Sequence, residues 1–277
     1  MRIGVCSWSL QPDSPADLAQ QVSECGLSSV QLALDPLLTG GWDFDETTSA
    51  LQHNGIQILS AMVQTKGEDY TTLDTIRRTG GLRPDEHWES NLGLAQRAAP
   101  MCTALGIDLV TFHAGFMPHD ISDPEFSIIR DRVLEFSRPF LDHGIRVALE
   151  TGQETADTLL LILEKLESDE IGANFDPANM ILYGMGDPAD ALSTLYKHTF
   201  QIHLKDAKQS TIPGEWGTET PVGRGYVDWT SIFKTVTDNN VNVDMCFERE
   251  SDNFRVQDVR DGVDYLKPLL KSAGAQL

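Results

Sequence analysis

Eight short runs of apolar and β-branched residues recur along the chain, at 3–7, 29–34, 56–62, 109–113, 146–150, 171–176, 200–205 and 243–248. Amphipathic segments of helical period separate them, near 15–25, 45–53, 86–105, 123–142, 154–166, 188–197, 229–238 and 258–271. Strands that are apolar along both faces need cover on both, and alternating helices supply it when the sheet is parallel. The punctuation agrees with this division. Ser14-Pro15, Asp123-Pro124 and Asp187-Pro188 open helical segments. Gly26, Gly55, Gly106 and Gly144 each follow one, as a left-handed helix end requires.

The expected fold is therefore α/β, a single (β/α)8 TIM barrel occupying 1–277 as one domain. A doubly wound open sheet shares the alternation, but an eight-fold repeat of this regularity rarely leaves an open edge. Two connections, 63–85 and 207–228, are long, polar and rich in Gly, Thr and Pro, and both follow strands. In a barrel both lie over the mouth, where loops of that length serve as lids or binding loops.

With 21 basic and 42 acidic residues the formal charge is -21. Such a field repels phosphate backbones and anionic lipid, which argues against nucleic acid or a membrane surface as partner and leaves a cation unopposed. The longest purely apolar run, 159–163, is far short of a membrane span. Cys6, Cys25, Cys102 and Cys246 form no C-x-x-C pair, a spacing suited to reduced, buried thiols. The first ten residues lack the charge and cleavage pattern of a signal peptide, so the expected location is cytoplasmic.

The strand ends carry the chemistry. Run four ends at His113-Ala114-Gly115, run five at Glu150, run six at Asp176-Pro177, run seven carries His203-Leu204-Lys205-Asp206, and run eight ends at Glu248. Residues 26, 27 and 45 positions apart can meet at one barrel mouth because equivalent strand ends converge there. Each residue taken singly is an ordinary strand-end polar group. Together, the three carboxylates would repel one another without a compensating charge, for which a divalent cation is the simplest source, and three oxygens with one imidazole suit Mn²⁺, Mg²⁺ or Co²⁺, with Zn²⁺ able to bind but less favoured without thiolates. Gly184-Met185-Gly186-Asp187-Pro188-Ala189 matches a dinucleotide fingerprint only in form, since its strand ends too far upstream and Asp187 would oppose a pyrophosphate.

Glu150, Asp176-Pro177, His203-Leu204-Lys205-Asp206, Gly223-Arg224-Gly225-Tyr226-Val227-Asp228-Trp229 and Glu248 resemble the sugar phosphate isomerase/epimerase group of the xylose isomerase-like TIM barrel superfamily. The resemblance extends over nearly the full chain. It implies one divalent metal ion, Mn²⁺ foremost, held by Glu150, Asp176, His203 and Glu248, with Glu150 and Glu248 also moving the proton beside a substrate carbonyl. It implies a small carbohydrate substrate and is compatible with a homo-oligomer. Two positions depart from the pattern: Asn179 stands where the family often has histidine, and Arg224 where many relatives have glutamate. Asparagine can bind a substrate hydroxyl but cannot carry a proton, and Arg224 either brings a cation to the substrate or forms a surface pair. His113 is expected to touch substrate or to support Glu150. Lys205 either stabilises developing negative charge or pairs with a carboxylate. Of Trp8, Trp42 and Trp216, one is expected to stack on a sugar, and Trp8 is carried forward as a substrate-binding candidate.

The function expected is a divalent-metal-dependent isomerase or epimerase of a small sugar or keto-sugar, working through an enediolate. A lyase, dehydratase or 3-keto-glycoside eliminase shares the first proton abstraction and stands as the alternative. A phosphodiesterase on the same barrel would need more histidines and a basic face. A non-catalytic sugar-binding barrel would be expected to have lost a ligand.

Overall fold

A computed structural model describes residues 1–274. Eight parallel strands close into a barrel: β1 (Ile3–Cys6), β2 (Ser29–Ala33), β3 (Gln57–Met62), β4 (Leu109–Phe112), β5 (Arg146–Glu150), β6 (Ile171–Phe175), β7 (Thr199–Leu204) and, after an antiparallel ribbon of β8 (Asp206–Lys208) and β9 (Thr218–Thr220), β10 (Asp244–Phe247). The order round the barrel is β1-β10-β7-β6-β5-β4-β3-β2. Every run expected to be a strand is one, and all eight long amphipathic segments are helices, from Pro15–Glu24 to Arg255–Ser272. Ser14, Asp123 and Asp187 cap their helices through side-chain oxygens. Gly26, Gly55, Gly106 and Gly144 all have φ between 66° and 73°, the left-handed region.

Short helices that periodicity does not reveal follow several strands: Ser7–Leu10, Asp35–Leu38, Leu73–Thr79 and Pro177–Leu182. They are one or two turns long, too short to write a repeat into the sequence. The outer helices bury Leu18, Val22, Phe136, Phe140, Leu163, Leu192 and Phe233 against the strands, while the four cysteines are buried and unbridged. Among the described residues no helix is long and apolar enough to cross a membrane.

The barrel interior is polar beneath its mouth. Gln31, Ser60, Thr111, Asn174, Gln201 and His203 are all fully buried and hydrogen-bonded to one another. The strand register slips by one residue at two places, between Val30 and Gln31 against β3 and between Ala173 and Asn174 against β7. Each slip sets two polar side chains opposite each other, Gln31 facing Ser60 and Asn174 facing Gln201.

The long connection from β3 crosses the turn that follows β4 at backbone distance. A Cβ on Gly81 would lie 2.2 Å from the Ala114 carbonyl carbon, one on Gly115 would lie 2.2 Å from the Gly80 oxygen, and Leu82 donates its N–H to Ala114 O at 3.0 Å. The glycine of His113-Ala114-Gly115 thus lets this connection dock beside His113. Gly81 also has φ of 66°. Gly81→Ala is expected to cost about 2–4 kcal/mol in urea unfolding, from left-handed strain plus the clash.

Candidate metal and substrate site

Glu150, Asp176, His203 and Glu248 arrive from β5, β6, β7 and β10, four consecutive staves of the barrel. Their ligand atoms all lie within 4.8 Å of one another, and all four residues are buried. His203 Nδ1 is 3.2 Å from Glu248 Oε2, 3.5 Å from Glu150 Oε1 and 3.8 Å from Asp176 Oδ2.

Neighbouring groups occupy both oxygens of Glu150 and of Glu248 but leave one atom each of Asp176 and His203 unpartnered. Asp176 Oδ1 accepts N–H bonds from Ala178 and Asn179, capping the helix Pro177–Leu182, while its Oδ2 is buried with no hydrogen-bond partner. His203 Nδ1 is likewise buried and unpartnered. Glu248 Oε1 accepts from Trp8 Nε1 at 2.8 Å and its Oε2 from Lys205 Nζ at 2.9 Å. Glu150 accepts from Asn179 Nδ2 at 3.1 Å on Oε1 and from Asn174 Nδ2 at 3.3 Å on Oε2. Two orphaned buried polar atoms facing a carboxylate-rich point fit a divalent cation, because leaving them without a partner is costly. Burial works against ionisation of Glu150, yet His113 and His203 hold its carboxyl below the ordinary value. Burial is overcome at Glu248 too, where Lys205 and His203 keep it well below. Asp176 is pushed up to about 6 by burial, against the pull of Lys205.

Above the four ligands opens a cavity of about 610 Å³. Trp8, His113, Asn179 and Lys205 lie on its wall, as do Tyr70, Tyr183 and Trp216. His113 Nε2 stands 3.8 Å from Glu150 Oε1, so it both faces the cavity and supports the glutamate. Lys205 is engaged by three carboxylates, hydrogen-bonding Glu248 and, at 2.7 Å, Glu250, and standing 3.7 Å from Asp176 Oδ2. Asn179 spends its amide hydrogens on Glu150 and Thr151 O, and its Oδ1 has no protein partner among the described residues. Trp216 stands edge-to-face with Tyr183 at 4.7 Å between centroids. Trp42 is not on the cavity wall.

Arg224 is brought nowhere near this wall. It is exposed, and among the described residues no carboxylate pairs with it. The segment around it has a structural reason. Asp206, buried at the start of β8, accepts N–H bonds from Ala207, Gly223, Gly225 and Val227 and from Trp229 Nε1. A Cβ on Gly225 would sit 2.1 Å from Asp206 Oδ1. The Gly-Arg-Gly motif therefore wraps a buried carboxylate and ties down the connection that carries Trp216.

Several wall residues escape sequence reasoning. Tyr70 and Glu68 sit in the connection after β3, and Glu219 and Glu250 at the ribbon and the end of β10. Buried Arg249 anchors this rim through Glu219, Asp252 and Asp258. Glu154, buried in a recess beside His113 and Glu150, is another. Burial pushes its carboxyl up to about 7, only partly offset by backbone N–H groups of Gly152 and Glu154 and by His113.

The chain belongs to the xylose isomerase-like TIM barrel family, whose model matches residues 19–269. Among curated proteins, an uncharacterized protein, YihM, of Escherichia coli (strain K12) is 24% identical over 147 residues, 52% of this chain and 42% of that protein. Among solved structures, a xylose isomerase domain protein from Planctomyces limnophilus is 29% identical with a TM-score of 0.85, over 92% of this chain and 93% of the other. A xylose isomerase-like TIM barrel protein from Mycobacterium smegmatis in complex with magnesium superposes with a TM-score of 0.74 at 17% identity, covering 99% and 98% of the two chains. An L-ribulose 3-epimerase gives 0.75 at 14% identity, covering 99% and 95%.

Two outcomes follow from this geometry. Because the folded state holds the Glu154 proton more tightly than the unfolded chain, Glu154 destabilises the fold increasingly as pH rises from the ordinary carboxylate range to about 7. Glu154→Gln should then have its smallest effect at about pH 4 and stabilise by about 3 kcal/mol at pH 8 in urea unfolding. Asn179→Ala removes a hydrogen bond from Glu150, and should weaken divalent-metal binding by about tenfold in calorimetric titration.

Proposed function

We propose that the protein is a divalent-metal-dependent isomerase or epimerase of a small sugar or keto-sugar, with Glu150 and Glu248 moving the proton next to a carbonyl. The observation that carries the reading is the pair of orphaned atoms, Asp176 Oδ2 and His203 Nδ1, flanked by two ionised glutamates at the floor of a sugar-sized cavity. Membership of the family supports it, and the magnesium complex and the epimerase among the similar folds are in keeping with it.

Glu150, Asp176, His203 and Glu248 would hold the ion, with Mn²⁺ the first candidate and Mg²⁺, Co²⁺ or Zn²⁺ also suited to three oxygens and a nitrogen. When bound, a divalent cation supplies Lewis acidity that acidifies the C–H beside a carbonyl. The proton then passes to a side chain. Glu150 and Glu248 occupy the two outer strands of the four, on either side of Asp176 and His203, so they approach a substrate carbon from different sides. Both carboxyls are held below the ordinary value and are able to accept a proton at neutral pH. One glutamate removes the proton, and for epimerisation the other returns one to the opposite face. His113 and Lys205 each stand beside one of the pair and stabilise its charge. Trp8, Tyr70, Tyr183 and Trp216 offer broad faces that exclude water, and Asn179 Oδ1 is free to accept a substrate hydroxyl.

Elemental analysis of protein prepared without chelator should find about one divalent ion per chain, lost in His203→Ala. Equal metal in both would remove the assignment. Turnover in D₂O should place solvent deuterium on the carbon next to the carbonyl. Products that keep the original hydrogen in every turnover would instead indicate direct hydride transfer and take the glutamates out of proton transfer. Loss of a β-substituent after the same C–H cleavage would make the enzyme a lyase or dehydratase on the same site.

A further inference from the structure

Beneath the four ligands the buried side chains form a chain of hydrogen bonds whose direction is forced from one end. Glu150 Oε2 can only accept, so Asn174 must turn its NH₂ group toward it, at 3.3 Å. The Asn174 oxygen then faces Gln201, which must present its own NH₂ group, at 3.3 Å. Gln201 Oε1 accepts from the Ser60 hydroxyl, and its NH₂ group also donates to Gln31 Oε1 at 2.9 Å. The other end of the Gln31 amide donates to Thr111 Oγ1 at 2.8 Å, while the Thr111 hydroxyl proton is directed to Met62 Sδ. Gln31 is thereby locked with its carbonyl oxygen 2.7 Å from His203 Nε2. Flipping any of the three amides would set like groups against each other in a fully buried site, where an unpaired polar group is costly.

An amide oxygen at 2.7 Å requires a proton on Nε2, because two lone pairs would repel at that distance. Asn174 Nδ2, at 3.0 Å, and Cys6 Sγ, at 3.7 Å, also approach Nε2, but Asn174 directs one amide hydrogen to Glu150, and the Gln31 oxygen makes the shortest contact and sets the proton. With Nε2 protonated, neutral His203 carries its lone pair on Nδ1, the buried atom without a partner that faces the three carboxylates. The two register slips at Gln31 and Asn174 set these amides opposite Ser60 and Gln201.

We propose that Gln31 is a positioning residue that fixes the tautomer and ring orientation of His203 for metal binding, and that the amide chain Asn174–Gln201–Gln31 ties this choice to the carboxylate of Glu150. The proposal rests on the metal reading given above. Its consequence is that two ligands on strands β5 and β7, separated by β6, are matched to each other through the barrel interior as well as across the ion.

The test uses the full-length protein with ¹⁵N-labelled histidine and Zn²⁺ or Mn²⁺ alone as probe. In the Zn²⁺-loaded wild type, ¹⁵N–¹H spectra should show His203 with its proton on Nε2 and a metal-bound Nδ1. Gln31→Met keeps the side-chain volume without the acceptor; it should raise Kd for both ions by about tenfold or more and remove the single-tautomer signature. Gln31→Glu keeps an oxygen toward Nε2 and should restore the signature, with Kd within about threefold of wild type. A proton on Nδ1 in the loaded wild type, or unchanged Kd and histidine signals in Gln31→Met, would overturn the proposal. Should Gln31→Met fail to fold, the wild-type tautomer still decides, and Thr111→Val tests the lock from the amide's other end with the same expected loss. Failure of the wild type to bind either ion would remove the metal reading itself, whereas equal binding by wild type and Gln31→Met removes this inference alone.

Discussion

Three buried carboxylates gathered within 4.8 Å are the constraint that the rest of the mouth answers. At an effective dielectric near 20, each pair of like charges at that range costs about 3 kcal/mol. Protein groups absorb part of it. Lys205 lies against Glu248, Asn174 and Asn179 donate to Glu150, and two backbone N–H groups take one oxygen of Asp176. Asp176 Oδ2 and His203 Nδ1 are left without a partner at the common point, and the proposed reading gives the remaining compensation to a cation. Neutralisation by a nearby arginine would have closed the point; the buried Arg249 is spent on Glu219, Asp252 and Asp258 at the rim.

Two carboxylates in the same region do opposite work, and their surroundings explain why. Asp206 is one strand-end away from the ligands, yet five N–H donors converge on it, and it serves as the hub of a loop. Asp176 receives two such donors on a single oxygen and keeps the other open. A carboxylate saturated by backbone N–H groups has no remaining capacity for a ligand or a proton, so the count of donors separates structural from chemical acids better than burial does.

The strand ends were legible because a barrel forces equivalent positions together: Glu150, Asp176, His203 and Glu248 needed only the period of the runs and the polar residue closing each. The motif around Gly223 and Gly225 was legible as a pattern, but its purpose was not, because hydrogen bonds from backbone N–H groups to Asp206 leave no side-chain trace except glycine itself. Arg224, the residue in that motif with visible chemistry, is turned out to solvent. Gln31, Asn174 and Gln201 lay inside runs read as apolar. A polar amide within a buried strand was the available signal, since such a group must have partners in the interior. Tyr70, Glu68 and Trp216 come from connections without a period, and their place on the wall depends on how those connections dock.

Floor and wall are held by different forces, and this bears on what the family's barrel can change. The four ligands sit on strands whose register is set by hydrogen-bonded ladders and by the amide chain below, so moving one disturbs its neighbours. The wall hangs on a few local anchors: the Gly81 and Gly115 crossing, the Asp206 hub and the Arg249 cluster. Tyr70 and Trp216 lie between those anchors, on the cavity wall. On the proposed reading, removing a proton beside a carbonyl would be a property of the floor. On the same reading, whether the resulting anion is reprotonated or expels a neighbouring group would turn on the wall side chain beside the substituent, and the two long connections supply Tyr70 and Trp216 to that wall.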